Sequence, residues 1–215
     1  MNVIIEPASP FAKRLRVRVT ELERYMSPSM YQATPDRQQK AFSDGEHLWS
    51  LIQAYLMNSL NRYDILGIYQ PLLEEYQWIY DIPVLCADLD PVISVQNGMR
   101  ITFELGDYIV DFEGTSDCIA KSPEWLLYIS DVKTASAWRT QEQADGKLQS
   151  VYYTALFHMI RWISEGSTKF AYWVFVKNKK KWRMQKFERE LDVATCISQL
   201  KGALKFYVET NEELH

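Results

Sequence analysis

The 215-residue sequence has few of the residues that cross-link a chain or interrupt it: three cysteines, eight glycines and eight prolines. The cysteines, Cys86, Cys118 and Cys196, are odd in number and far apart, and no CxxC pair occurs. This spacing argues against a disulfide framework, a zinc knuckle and an iron–sulfur cluster. It favours a reducing compartment, so a cytoplasmic protein is expected.

Long apolar runs and an excess of positive charge are also missing. No stretch approaches the roughly 20 apolar residues that cross a bilayer, and the first residues lack the apolar core of a signal peptide. The net charge of -4 argues against a protein that coats nucleic acid through charge alone, whereas a metal-dependent nuclease carries acidic residues in its site. With 47% hydrophobic residues and no obvious linker, one globular domain without a membrane partner is expected.

Helices are predicted near the start of the chain. The first twenty residues are interrupted by proline and then basic, which indicates an arm or an edge strand. Thr20 and Glu23 form a capping box that opens a short helix, which Pro28 ends. A second helix, capped by Ser43 or Asp44, carries apolar residues at helical spacing to about residue 60.

A run of strands is predicted from residue 92 to residue 133. Asn97–Gly98 and Gly106–Asp107 are read as hairpin turns, because Asn-Gly is among the strongest hairpin signals. The predicted strands cover 92–95, 99–105, 108–114, 115–120 and 125–133, with a tight turn at 121–124. These segments make a meander of three to five strands.

The remainder of the chain predicts a helix, a β-hairpin and a final helix. A long amphipathic helix starts at Gln141 or Gln143 and ends at Gly166, since its apolar spacing continues for about five turns. Strands at 169–176 and 182–187 form the hairpin, and an amphipathic helix covers about 191–207. The resulting order predicts an α/β domain with a mixed central β-sheet flanked by helices.

Charged residues on two neighbouring predicted strands are candidates for chemistry. Asp117 ends one strand, and Asp131 and Lys133 share a face of the next strand while Val132 points to the other face. Hydrolysis of a phosphodiester needs a hard divalent cation held by carboxylates and a positive group near the developing charge. A D-x-K triplet alone is common by chance, and a surface salt bridge is its alternative interpretation.

Four motifs in order resemble the RecB-like branch of the PD-(D/E)XK nuclease superfamily. They are His47 within GEHLW, G-x-x-D at 114–117, D-x-K at 131–133 and Q-x-x-x-Y at 149–153. The resemblance covers roughly residues 44–163, and the opening TELERYMSP is similar to the first helix of that family. It implies a single domain with a restriction-endonuclease-like core at 44–190, preceded by an arm and helix at 1–43 and followed by a C-terminal helix at 191–215.

The resemblance also implies a metal site. His47, Asp117, Asp131 and the backbone carbonyl of Val132 would ligate Mg²⁺ or Mn²⁺. An imidazole ligand suits manganese better than magnesium. The glutamate that precedes G-x-x-D in the family corresponds to Glu104 or Glu113, and the spacing does not decide between them.

Three further residues take roles from the same resemblance. Lys133 would orient or help to deprotonate the attacking water and stabilise the transition state. Gln149 and Tyr153, four apart on one helical face, would contact the DNA backbone or brace the site. Apart from the resemblance, Trp138 with Arg139 could stack on or clamp a strand end.

A basic turn near residue 180 is a second candidate DNA contact, with a solvated turn as its alternative. Its residues are Lys179, Lys180, Lys181 and Arg183.

The activity implied is a metal-dependent DNA exonuclease of phage or bacterial recombination and repair. The alternatives are a catalytically silent DNA-binding or assembly subunit of the same fold and a structure-specific endonuclease. Iron–sulfur relatives carry Cys-Pro where this chain has Ser27–Pro28, and no cysteine triplet follows, so such a cluster is not expected. No Walker loop occurs either, so any helicase or recombination motor would be a separate partner.

Overall fold

A seven-stranded mixed sheet lies at the centre of the fold. A computed structural model describes residues 1–27, 48–56, 86, 89–135, 140–178 and 181–211. The strands are β1 (Asn2–Glu6), β2 (Lys13–Arg18), β3 (Val92–Leu105), β4 (Tyr108–Lys121), β5 (Leu127–Ala135), β6 (Ser167–Asn178) and β7 (Lys181–Asp192). The helices are α1 (Val19–Met26), α2 (Gln141–Asp145), α3 (Leu148–Ile160) and α4 (Val193–Thr210), and residues 48–56 are also helical. The predicted mixed sheet flanked by helices is confirmed.

One edge of β4 has two successive partners. β3 pairs antiparallel with β4 over its whole length, so β2 and β5 must both lie on the opposite edge. β2 pairs in parallel with the first part of β4, as far as Arg18↔Glu113, and β5 pairs antiparallel with the last part, from Cys118↔Ser130 onward. Residues 114–117 belong to neither of these ladders. We call this opening between β2 and β5 the fork.

The two faces of the sheet are covered differently. α1, α3 and α4 enclose a large core cluster that includes Phe103, Phe112 and Leu156. The 48–56 helix packs on a second cluster, in which Tyr128 and Trp173 are fully buried. Among its described residues, the protein has no helix with the length and apolar character needed to cross a bilayer.

The Asn97–Gly98 turn is a wrong prediction. Both residues lie inside β3, where they pair with Ser116 and Thr115 of β4. The positive φ of Gln96 gives a local irregularity in place of a turn, because continuous pairing with β4 satisfies the backbone hydrogen bonds on both sides. For the same reason residues 108–121 form one strand and not two. The Gly106–Asp107 turn is confirmed.

The single long helix predicted from Gln141 or Gln143 to Gly166 is interrupted and ends at Ile160. It is divided into α2 and α3 at Gly146–Lys147. Lys147 has an extended backbone and is the N-cap of α3, and Arg189 Nη1 of β7 donates to its carbonyl oxygen at 2.9 Å. The apolar spacing could not register this break, because it begins only at Leu148, and Ala144 is the one buried residue of α2.

Other predicted elements need smaller corrections. α1 begins at Val19, with Glu21 accepting from the Arg18 backbone N–H at 3.4 Å, so the capping glutamate is not Glu23. β5 begins at Leu127, two residues later than expected. The last hairpin and the last helix are confirmed, and Asp192 caps α4 by accepting from Thr195 N at 2.7 Å. The N-terminal segment supplies β1 and β2, both of which pair in the sheet.

Candidate metal centre at the fork of the sheet

Asp117 and Asp131 meet where β5 separates from β4. The last backbone pair of that ladder is Cys118↔Ser130, so Asp117 and Asp131 occupy the next facing positions. The Asp117 carboxylate accepts a hydrogen bond from the Val132 backbone N–H at 2.7 Å. This side chain thereby satisfies a β5 donor where the backbone ladder has ended, and it holds the two acidic residues together.

Lys133 lies on the same side of β5 as Asp131, as the alternation of a strand predicts. Its Nζ is 2.7 Å from Asp131 Oδ2. Val132, which points to the other face of the sheet, packs against the second core cluster. Asp131 is almost fully buried, whereas the Lys133 side chain is 42% exposed. The expected convergence of two carboxylates and an amine is therefore present.

The charges at the fork are incompletely balanced. Burial, followed by the charge of Asp131, raises the pKa of Asp117 from its ordinary 3.8 to about 7. Burial opposes the charged form of Lys133, but the Asp131 and Asp117 carboxylates hold its pKa above the ordinary value. Two buried carboxylates share one ammonium, so the site gains from a second cation.

The donor set suits a hard divalent cation. Mg²⁺ and Mn²⁺ prefer carboxylate oxygens, and Asp131 Oδ2 is buried with no hydrogen bond of good geometry despite its ion pair. Asp117 and Asp131 therefore fit the predicted ion. Within the described residues, no group of three or more His, Cys, Asp and Glu side chains assembles. His47 lies outside those residues, so its role as a ligand stays a prediction.

Tyr153 of α3 lies at the fork and Gln149 hydrogen-bonds with it, while their role toward DNA stays a prediction. A Cβ added at Gly114 would lie 2.6 Å from Tyr153 Cε1 and 2.7 Å from Val19 Cγ2. The Tyr153 ring can pack here because the glycine of G-x-x-D has no side chain. Burial and then the charge of Asp131 raise the pKa of Tyr153 to about 12, while a hydrogen bond with Gln149 opposes this rise. Tyr153 is therefore a neutral hydrogen-bond donor at physiological pH.

Two buried residues at this site were not identified from the sequence. Glu23 of α1 is 1% exposed, and its Oε1 accepts from the backbone N–H of Gln149 at 3.2 Å. It therefore caps the helix that carries Gln149 and Tyr153. Tyr172 of β6 faces Asp131 in the β5–β6 register, and burial followed by the charge of Asp131 raises the pKa of its phenol. Only the register of the folded sheet reveals Tyr172.

A cavity of about 480 Å³ opens beside the fork. It was not predicted, and we call it the arginine groove because three arginines line it. Tyr153 and Gly114 also belong to its wall, so it adjoins the side chain that lies next to the carboxylates. Its lining is Arg16, Arg18, Val19, Thr20, Gly98, Met99, Arg100, Glu113, Gly114, Thr115 and Tyr153.

Glu104 and Glu113 are the two candidates for the glutamate that precedes G-x-x-D in the family, and each has a partner away from the carboxylate pair. Glu113 forms ion pairs with Arg16 at 2.7 Å and Arg18 at 3.6 Å, whereas Glu104 accepts from the Ala8 backbone N–H at 3.3 Å.

The basic turn is described only in part. Lys179, Lys180, Trp138 and Arg139 lie outside the described residues, as does the Lys181 side chain. Arg183 is an exposed residue of β7. The DNA contacts assigned to these residues stay predictions.

The chain has weak similarity to solved structures. No family model and no curated protein matches the sequence. The crystal structure of SSO0001 aligns with a TM-score of 0.43 and 15% identity, over 95% of this chain and 80% of that one. The structure of S. pombe Rai1 in complex with 3'-FADP aligns with a TM-score of 0.21 and 12% identity, over 50% of this chain and 32% of Rai1. At these TM-scores neither likeness assigns a family or an activity.

Proposed function

We propose that the protein is a metal-dependent deoxyribonuclease of RecB-like type, acting as a DNA exonuclease in recombination or repair. The observation that carries the proposal is the pair of carboxylates, Asp117 and Asp131, held against each other at the fork with Lys133 beside them. A purely structural salt bridge would need only one of the two acids. The order of the motifs supports a restriction-endonuclease-like core.

Asp117 and Asp131 would hold Mg²⁺ or Mn²⁺, with His47 and the Val132 carbonyl as further proposed ligands. Such an ion supplies positive charge that polarises a phosphate and lowers the pKa of water. Lys133, half exposed and held by Asp131, would orient the attacking water and oppose the charge that develops on the phosphate. The Tyr153 phenol and the Gln149 amide would brace the carboxylates or donate to a phosphate oxygen.

DNA is the proposed partner, with a separate helicase or recombination protein as a second one. We place the reaction in the cytoplasm, where the three cysteines would stay reduced. All three are free and buried in the structure, and a thiol buried away from positive charge is inert.

The test is cleavage of linear and circular DNA by the purified protein with Mn²⁺, with Mg²⁺ and with EDTA. Metal-dependent loss of linear DNA alone supports an exonuclease, and cleavage of circular DNA as well identifies an endonuclease. No cleavage with either metal, in a protein that still binds DNA, supports the silent subunit and refutes the proposal.

Two variants make this test specific to the site. Lys133→Ala should abolish cleavage, whereas Lys121→Ala should retain it, because Lys121 lies at the distant end of the β4–β5 ladder, over the Trp125 ring. Full turnover by Lys133→Ala would refute the assignment of this lysine, and with it the proposed site.

A further inference from the structure

The arginine groove has a charge opposite to that of the chain as a whole. Its lining carries three arginines and one acidic residue, Glu113, while the protein has a net charge of -4. Arg16 and Arg18 come from β2 and Arg100 comes from β3, on either side of β4. Because the sheet alternates its side chains, these arginines share one face and converge on the same opening.

Carboxylates orient these guanidinium groups without using all of their N–H donors. Arg16 and Arg18 are paired to Glu113, and Arg100 Nη2 lies 2.6 Å from the buried Asp111. Each arginine side chain nevertheless remains more than half exposed. An arginine carries five N–H donors, so donors are left over for a ligand. Side chains that are already oriented lose less conformational entropy on binding.

The start of α1 also borders this opening, and Glu21 in its first turn accepts from the Arg18 backbone N–H. Val19 and Thr20, the first two residues of that helix, line the groove. The first N–H groups of a helix have no partner within the helix, and its dipole favours anions at this end. Guanidinium groups and a helix N-terminus are both typical phosphate-binding elements.

We propose that the arginine groove binds the phosphate groups of a single DNA strand and leads that strand to the carboxylate pair. The inference rests on the proposed nuclease function and adds the path of its substrate. Tyr153 connects the two parts: it lines the groove, whose arginines lie on the face of the sheet opposite α3, and its ring packs at Gly114 of the fork, where the charge of Asp131 reaches it. A strand seated in the groove would therefore reach the fork along the Gly114–Tyr153 wall.

The test is binding of a fluorescein-labelled single-stranded oligonucleotide, measured by fluorescence anisotropy in EDTA so that no turnover occurs. The groove variant is Arg16→Gln/Arg18→Gln, in which both replaced side chains are largely exposed and folding should be preserved. The matched control is Lys201→Gln/Lys205→Gln on α4, which removes the same charge outside the groove lining. Thermal unfolding checks that each variant is folded.

Loss of two phosphate contacts should lower the slope of log K against log salt by about 1.4, since each contact to a single strand contributes about 0.7. At 0.1 M salt this corresponds to binding weaker on the order of 25-fold. The control should change neither the slope nor the affinity beyond twofold.

Equal losses in the groove variant and in the control would overturn the proposal, because they would indicate attraction by overall charge. Unchanged binding by both would overturn it too. Cleavage by the native protein is scored separately. Cleavage without groove-dependent binding refutes the groove alone, and groove-dependent binding without cleavage refutes the nuclease.

Discussion

Replacement of Asp117 by asparagine should change how the stability of the metal-free protein depends on pH. Asp117 has its pKa raised from 3.8 to about 7 by burial and by Asp131. The folded protein therefore retains a proton on this residue that the unfolded chain has released, and its free energy of unfolding falls as pH rises between these two values. The asparagine has no proton to lose, and its amide oxygen can still accept from Val132 N.

The size of this effect follows from the two pKa values. One pKa unit corresponds to about 1.36 kcal/mol. Between pH 5 and pH 8 the unfolded chain changes its protonation at this residue very little, whereas the folded protein releases almost the whole proton. The native protein should then lose about 2–3 kcal/mol relative to Asp117→Asn over this interval.

Urea unfolding in EDTA at pH 5 and pH 8 measures the difference. Other carboxylates whose pKa values are lowered, such as Asp90 and Asp111, act equally in both proteins and cancel. Parallel pH profiles of the native protein and the variant would refute the reasoning, since Asp117 would then ionise alike in the folded and unfolded states. A divalent cation should restore the stability of the native protein at pH 8 and leave that of the variant unchanged.

Three further predictions concern residues around the same site. Gly114→Ala should cost about 1–3 kcal/mol in urea unfolding, because its Cβ would meet the Tyr153 ring and Val19; Gly98→Ala, with open space around its Cβ, is the control and should be nearly neutral. Glu23→Ala should cost about 1–3 kcal/mol by leaving the Gln149 N–H buried without an acceptor. Glu23→Gln keeps an acceptor oxygen and should cost less, and equal losses would contradict the capping role. Lys133→Ala should keep its Mn²⁺ affinity in calorimetric titration while Asp117→Ala loses it, and loss in both would show that the lysine is needed for the metal site itself.

The acidic part of the site could be predicted because its signals are local. Asp131 and Lys133 are two residues apart, so the alternation of one strand puts them on one face. Asp117 lies on the preceding strand, and the tight turn between the two strands allows few registers for their pairing. Gln149 and Tyr153 needed the family resemblance, because a glutamine and a tyrosine four apart on an apolar helix have no chemical signature of their own.

The remainder of the site depends on pairings between distant segments. The arginine groove exists because β2 joins β4, a pairing such as Lys13↔Tyr108 and Arg18↔Glu113 between residues far apart in the sequence, and no local pattern specifies that register. Glu23 was assigned to a capping box because its spacing from Thr20 fits one. The helix starts one residue before Thr20, which turns Glu23 toward α3 instead. The Asn97–Gly98 turn failed for a related reason, since long-range pairing with β4 outweighs a local turn preference.

The fork gives these features a common physical cause. A strand paired along both edges has its backbone N–H and C=O groups engaged in ladder bonds, whereas β4 changes partner between Glu113 and Cys118. Within that interval the absence of a side chain at Gly114 lets the Tyr153 ring pack against β4. The Asp117 carboxylate accepts from the β5 backbone in place of a ladder hydrogen bond. The same separation of β2 from β5 opens the groove on the β2 side. One change of strand partner thus lies next to both the carboxylate pair and the arginine groove, and under the proposed function damage to the groove should weaken DNA binding while leaving the carboxylate pair intact.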